Sequence, residues 1–476
     1  MPKVMDGIRV IDFGQYIAGP LTAMMLADQG ADVVRADPPG GPRLQTPANA
    51  TWNRGKRSIV LDFARPDDVA VARRLVESAD VVIENFRPGV MDRLRLGPAA
   101  MTAVNPRLVY CSIPGFASDD PRAGVAAWEG VVAAATDTYR PSKLGGSEQP
   151  VYTAIPIASS FAAFLAANSI VAALIARERD GLGQRIEVPL FDAMFVAFGG
   201  IANRANGGNP LQQRFRGGVG VFRCADGRWV FFHPANPRFM DWLVDGLDLQ
   251  EWREAGMLDR ARLQAEPALA AELQSRMEAL FASRPAQEWE DRFNELGLPL
   301  SICRTAAEWI ENAHARASGT VVELEDHEYG RMLQPGTPVR LYGADAGRPL
   351  PRRRLDADRD AITAELERGA PSAAIERGKG RSEAFAPPLA GFRVLDLTQV
   401  LAGPTSGRTL AEFGAEAIKI NDPKQDILTH SDVNRGKLTI LLDLDTPKGL
   451  EGFWRLVDDA DVVMQNFRLG TAERLG

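Results

Sequence analysis

One stretch near the start of the chain comes back near its end. Gly7–Gly30 laid on Gly391–Gly414, an offset of 384 residues, gives 11 identities in 24 positions, among them Ala18-Gly19-Pro20 and Ala402-Gly403-Pro404. Beyond a three-residue deletion the offset is 381: Asn53-Arg54-Gly55-Lys56 meets Asn434-Arg435-Gly436-Lys437, and Asn85-Phe86-Arg87 meets Asn466-Phe467-Arg468. Chance does not supply ordered matches of this kind, so the fold of the first copy must also begin in the second. That second copy aligns as far as Gly476, opposite Arg95. A partial sheet leaves apolar strand edges bare, so the expectation is that this sequence is the front part of a longer tandem chain.

The first copy alternates short β-branched runs with helical patterns. Strands are expected in IRVIDF, ADVVRAD, SIVLDF, DVVIENF and RLVYCSI, with helices over 21–29, 67–78 and 90–96 among them. Strands spaced by helices of this length make a parallel sheet with helices on its faces. Such sheets bind ligands beyond the carboxyl ends of their strands.

The uncharged run IPIASSFAAFLAANSIVAALIA predicts a helix over 154–179. It is long enough for a membrane span. Its richness in Ala, Ser and Asn, with nothing else to support a membrane topology, predicts instead a buried helix with close backbone packing. RIEVPL adds a strand, and a helix opens near Asp192, which reads as its cap. GVFRCADGRWVFFHP reads as a hairpin turning at Asp226-Gly227, followed by helices over 238–247, 267–283 and 286–296. The fold class is therefore α/β. A large domain with a parallel sheet (1–220) precedes a smaller α+β domain (221–342), a tail and linker (343–388) and a partial second copy (389–476).

At 476 residues the chain exceeds what one hydrophobic core organises. A net charge of −7 lacks the basic footprint of a nucleic-acid binder. Cys111, Cys224 and Cys303 lie far apart without a CxxC pairing, which fits a reducing, cytoplasmic compartment. His233, His314, His327 and His430 are equally scattered, so no metal site is expected. MPKVMDGIRV contains no apolar run, so no signal peptide is expected.

Three motifs sit near the expected ligand crevice. QYIAGP opens a helix after the first strand, and backbone N–H groups there suit an anion, although an ordinary helix start needs the same residues. No GxGxxG follows a strand, so a dinucleotide fingerprint is absent. NRGKRSIVLDF puts Arg54, Lys56 and Arg57 before a strand, and taken alone reads as a solvated turn. ENFRPGVMDRL carries Arg87 and Arg93 beyond a strand's carboxyl end, where guanidinium groups match phosphate.

Taken in order, GIRVIDFGQYIAGP, LADQGADVVRADPPGG, NRGKRSIVLDF, DVVIENFRPGVMDRLRLG, NPRLVYCSIPGF, GLGQRIEVPLFDA and GVFRCADGRWV resemble the class III coenzyme A transferases, the CaiB/BaiF or formyl-CoA transferase-like family. The resemblance runs from Gly7 to Glu367 and begins again at Leu389. It implies a Rossmann-like large domain that binds coenzyme A, a small domain, and two subunits threaded together as interlocked rings. The partner would be a second subunit in a homodimer or the second copy in an intrachain pseudo-dimer. The substrates would be an acyl-CoA and a carboxylic acid, with no metal. By position, Leu61, Asn85, Phe86, Arg87 and Arg93 fall where the family holds the adenosine-phosphate end of the coenzyme. Two family contacts are missing, because a basic position after the second strand is Pro38 and a lysine position before the aromatic pair is Ala126.

Family members attack the thioester with an aspartate at the start of the long helix, forming a mixed anhydride and then an aspartyl-CoA thioester. Ser159, in PIASSFAA, holds that position here. A serine needs a general base, and its ester lacks the driving force of the anhydride. Asp192 reads as a cap rather than a substitute, and the His-Asp pair of the racemase branch is absent from GVAAWEGVV. The resemblance thus implies a tandem CoA-transferase whose first copy has lost the nucleophile, with the aspartate expected in the second copy, 381 residues beyond Ser159. Alternatives are a first copy active through another carboxylate, a non-catalytic acyl-CoA-binding scaffold half, and a tandem CoA-transferase/lyase.

Overall fold

The computed structural model describes residues 3–136, 138–139, 149–199, 218–234, 236–343, 348–369, 386–424 and 431–476. The β-branched runs of the first copy become six strands: β1 (Arg9–Asp12), β2 (Asp32–Asp37), β3 (Arg57–Val60), β4 (Val81–Glu84), β5 (Val109–Ser112) and β6 (Arg185–Glu187). All neighbours run parallel in the order β3-β2-β1-β4-β5-β6. The chain winds one way from β1 to β3, returns to the centre and winds the other way. This is the doubly wound Rossmann order, whose ligand crevice opens where the order reverses, between β1 and β4. Helices α1 (Ala18–Asp28), α2 (Pro47–Trp52), α3 (Pro66–Glu77), α4 (Val90–Arg93), α5 (Pro98–Val104), α6 (Glu129–Ala135), α7 (Ile157–Asp180) and α8 (Leu190–Ala197) complete this copy. β4 and β5 are buried along their whole length, as a parallel sheet covered on both faces requires.

Among the described residues α7 is the one helix long and apolar enough to cross a membrane, and half of that apolar window is buried inside the protein. Ala158, Ala162, Ala166 and Ala173 join the core shared with α1. Ala172 instead packs with Leu389, Val394, Ala415 and Ala417 of the second copy. Small side chains let backbones approach on both sides of one helix.

The second copy forms β12 (Arg393–Asp396), β13 (Glu416–Asn421), β14 (Leu438–Leu441) and β15 (Val462–Met464). Their parallel order β14-β13-β12-β15 repeats β3-β2-β1-β4. Before them come β7 (Gly220–Arg223), β8 (Trp229–Phe232), β9 (Leu300–Ile302), β10 (Val321–Asp326) and β11 (Gly330–Pro335). The chain divides into two compact units, Met1–Asn203 with Gly319–Gly476, and Arg204–Ser318. In the second unit β7, β8 and β9 form an antiparallel sheet, turning at Gly227 (φ 79°) as the sequence predicts, over a core of Phe222, Phe232, Phe281, Trp289 and Phe293.

Three local readings change. Asp192 does not cap its helix: α8 begins at Leu190 after Pro189, so Asp192 lies inside the first turn and makes no capping hydrogen bond. The segment read as tail and linker contains a helix, Arg359–Arg368, while 370–385 lie outside the described residues. That helix was hidden because it buries only Ile362 and Leu366. Carboxylates from its neighbourhood cover the edge strand: Asp358 accepts from the Ser58 N–H (2.9 Å), Asp356 from the Val60 N–H (2.7 Å), and Glu365 pairs with Arg57 (2.7 Å).

The third change concerns the supposed solvated turn. Arg54 and Lys56 are buried, Arg54 against Asp28 (2.6 Å) and Lys56 against Asp12 (2.8 Å). Lys56 also donates to the Pro20 carbonyl (2.8 Å), while Arg35 bridges Asp12 and Asp37. Burial alone would raise the pKa of Asp12, but Lys56 and Arg35 outweigh it and hold the carboxyl below its usual range. Burial, reinforced by Arg35, pulls Lys56 down to about 8 against the opposing pull of Asp12. The second copy rebuilds half of this: Lys437 pairs with Asp396 (2.6 Å) and donates to the Pro404 carbonyl (2.7 Å), and Lys419 replaces Arg35. Asn421 stands where the first copy has Asp37. Two lysines thus share one carboxylate in the second copy, whereas two cations meet two carboxylates in the first.

The two copies should therefore respond differently to one change. Lys56→Met leaves a net negative buried cluster and should cost about 3–5 kcal/mol, the usual penalty for breaking a buried pair. Lys437→Met leaves Lys419 balanced against Asp396 and should cost much less. Hydrogen exchange of the β1 and β12 amides in denaturant reads each sheet separately, and equal costs would contradict the charge count.

Candidate active site

The crevice is built by the loops after β1 and β4. Asn85 spans it: its side-chain oxygen accepts from the Gln15 N–H (2.6 Å) and its amide donates to the Gln15 carbonyl (2.7 Å). Gln15 is itself buried, and its side-chain oxygen accepts from the Arg43 N–H (3.2 Å). Next to it Tyr16 holds φ +61°, a left-handed conformation uncommon for a residue with a side chain. The second copy repeats the device. Asn466 makes the same pair of bonds to Gln399 (2.8 and 2.8 Å), and Val400, equivalent to Tyr16, holds φ +69°. Both loops therefore enter helices that begin at matched alanines, Ala18 and Ala402, from the same strained residue.

The residues suggested for the coenzyme's adenosine-phosphate end do not share one environment. Leu61 is buried in the cluster containing Ile11, Phe13 and Ile59, and half-buried Phe86 packs against that cluster. The oxygen and the nitrogen of the Asn85 side-chain amide both bond Gln15, so its firm role is to join the two crevice loops. Arg87 and Arg93 are exposed, and Arg87 donates to the Gly124 carbonyl (3.4 Å). Gly89, at φ +81°, turns the chain between them into α4. Around Arg87 a depression of about 820 Å³, partly open to solvent, is lined by Glu84, Phe86, Asp92, Thr102, Ser112, Arg185 and Glu187 among others.

The other edge of the crevice is the start of α7. Ser159 lies in its first turn and is buried, and among the described residues its hydroxyl makes no hydrogen bond. What fills this position is Glu129, the first residue of α6. Its carboxylate oxygens accept from the Ala158 N–H (2.9 Å) and the Ser159 N–H (2.8 Å). Free N–H groups and the helix dipole make this an anion site, and the chain supplies its own anion. Trp128, just before Glu129, meets Tyr16 edge to face at 5.6 Å. The loop after β1, the loop after β4 and the α7 terminus therefore converge through the contacts Gln15–Asn85, Arg87–Gly124 and Tyr16–Trp128.

Glu129, Gln15 and Trp128 were not singled out by sequence reasoning. Nothing in the spacing of Glu129 and Ser159 ties them, since α6 and α7 meet only in the folded chain. Asp192 sits elsewhere, where burial and the neighbouring Asp120, Asp119 and Glu187 raise its carboxyl pKa while Arg122 opposes them. Among the described residues no group of three or more His, Cys, Asp and Glu side chains could hold a metal.

The strained loop residues give a direct test. Left-handed backbone costs a residue with a side chain about 1–2 kcal/mol, and glycine's extra unfolded-state entropy returns about 0.5–1 kcal/mol of that. Val400→Gly should therefore stabilise the second copy by up to about 1.5 kcal/mol, measured by exchange of the β12 and β13 amides. Tyr16→Gly should gain less, because it also removes the contact with Trp128.

Comparisons with known proteins agree with this architecture. The chain is 33% identical to the CoA-transferase/lyase DddD of Marinomonas sp. (strain MWYL1) over 97% of its own length and 62% of that relative's, so it spans under two thirds of that protein. It is 27% identical to the succinyl-CoA–D-citramalate CoA-transferase of Chloroflexus aurantiacus, over 73% of this chain and 90% of the relative. A crystal structure of a CaiB/BaiF family protein from Brucella suis superposes with a TM-score of 0.66 at 27% identity, covering 77% of this chain and 100% of that one. Residues 5–358 and 389–476 both match CoA-transferase family III, with the break falling between the copies, and the chain belongs to that family.

Proposed function

We propose that this chain is the front portion of a tandem class III CoA-transferase, moving coenzyme A between an acyl-CoA and a carboxylic acid. Its first copy binds coenzyme without supplying the nucleophile. The observation that carries this reading is the start of α7, where among the described residues the Ser159 hydroxyl makes no hydrogen bond and Glu129 already occupies the two backbone N–H groups. Among the described residues no base is hydrogen-bonded to that serine hydroxyl, and the nearby Glu129 carboxylate is engaged with the helix. The aspartate that forms the acyl anhydride would belong to the second copy.

The bare strand β14 supports the tandem reading. Its four residues are all exposed, Leu438 at 59% and Leu441 at 57%, whereas the equivalent β3 is covered by Asp356, Asp358 and the helix Arg359–Arg368. A complete second copy would cover β14 as the first covers β3, and the two copies would then pair as the family's two subunits do. The relative of greater length is a transferase/lyase by name, so elimination following transfer is the alternative for the whole protein. The compartment remains the cytoplasm on the cysteine argument given above.

A second reading rests on the same contact. Glu129 presents a carboxylate beside the position of the family nucleophile and could itself take the acyl group. Incubating the chain with acetyl-CoA, trapping with hydroxylamine and mapping the peptides by mass separates the two. No modified Asp or Glu is expected; modification at Glu129 would replace the first reading with the second. Coenzyme binding is expected all the same, and Arg87→Ala or Arg93→Ala should weaken it about tenfold or more in calorimetry, the loss of a charge-assisted contact.

A further inference from the structure

The two copies differ by one atom type at the base of the coenzyme loop. Glu84, the last residue of β4, is buried and accepts from the Phe86 N–H through a carboxylate oxygen (2.8 Å). Its counterpart in the second copy is Gln465, which accepts from the Phe467 N–H in the same way (2.7 Å). That bond sets the backbone immediately before Arg87 in one copy and Arg468 in the other. The repeat shows that the bond needs an oxygen acceptor and no charge.

The surroundings of Glu84 favour the uncharged form. It lines the depression next to Arg87, together with Asp92 from α4, Glu187 and Arg185 from β6, and Ser112 at the end of β5. Tyr110 and Cys111 of β5 lie close enough to feel its charge, and burial pushes both of them well above their ordinary values, so they stay neutral. Burial, with Asp92 and Glu187 adding repulsion, pushes the Glu84 carboxyl up to about 7, against the opposing hydrogen bonds from Ser112 and the Phe86 N–H. Neither arginine in the depression touches it: Arg185 pairs with Glu187 (3.3 Å) and Arg87 donates to Gly124.

We propose that Glu84 is the positioning residue for the segment Asn85–Arg93 of the first copy, and that its ionisation beside Arg87 makes coenzyme affinity there fall as pH rises past neutrality. An ionised Glu84 keeps its bond to the Phe86 N–H, which favours the charged acceptor. It also adds a negative charge beside the side chain that would meet the coenzyme's phosphates. Gln465 makes the second copy insensitive to the same change. This inference rests on coenzyme binding by Arg87 and Arg93.

Acetyl-CoA, whose sulfur cannot ionise, is the probe, titrated calorimetrically into the whole chain from pH 6 to pH 8.5. Dephospho-acetyl-CoA is run in parallel to remove the titration of the 3′-phosphate. Wild-type affinity should fall by about tenfold or more across that range, with both ligands. Glu84→Gln should flatten the profile, and Asp92→Asn, which removes a repelling charge, should move the fall to lower pH. A flat wild-type profile, or one that neither substitution alters, overturns the proposal. If Glu84→Gln does not fold, the Asp92→Asn shift decides it alone. Absence of acetyl-CoA binding at every pH overturns the coenzyme-binding reading instead.

Discussion

The buried carboxylate of Asp12 organises the first copy. It stands at the carboxyl end of the central strand and collects Lys56 from the β3 approach, Arg35 from β2 and the Gly14 N–H from the crevice loop. Through Lys56 it also fixes the Pro20 carbonyl at the start of α1. A charge removed from water this completely is tolerated only when each lone pair meets a donor. Four elements must therefore arrive in register before the cluster is stable. The crevice inherits its shape from that condition, because the loop that carries Gln15 and Tyr16 leaves directly from Asp12.

The internal repeat turns this into a comparison made by the chain itself. Asp396 and Lys437 recover the central pair and the bond to the helix start, so these are the parts the fold cannot do without. Arg35 and Asp37 become Lys419 and Asn421, so the outer pair is adjustable. The same logic separates the two crevice features. The asparagine staple and the left-handed residue recur in both copies and belong to the scaffold, whereas Glu84 and Gln465 keep the same backbone bond and differ in whether they can carry charge.

Much of the architecture was legible in the sequence because parallel strands buried on both faces must be nearly continuous in apolar residues, as Val81, Val82 and Ile83 of β4 are. The repeat and the ordered motifs gave the family for the same reason. The buried ion pairs were not legible: Asn53-Arg54-Gly55-Lys56 is chemically a solvated turn until Asp12 and Asp28 are brought to it. The helix Arg359–Arg368 escaped because its surface is charged and its buried face is two residues wide. Glu129 escaped because its meaning depends on α7, which begins 28 residues later. In each case the missing information was a tertiary partner, which no local pattern encodes.

The serine at position 159 follows from the same accounting of partners. A helix start with free N–H groups attracts an anion, and two carboxylates in one small site repel each other strongly enough that one takes up a proton. With Glu129 seated on the Ala158 and Ser159 amides, an aspartate at 159 would face that repulsion in a buried position. A neutral serine avoids it. On the proposed alignment, a serine at 159 and the seating of Glu129 are two sides of one electrostatic choice, and a copy with an aspartate at this position would have to move its own glutamate off the helix or hold one of the two carboxyls protonated.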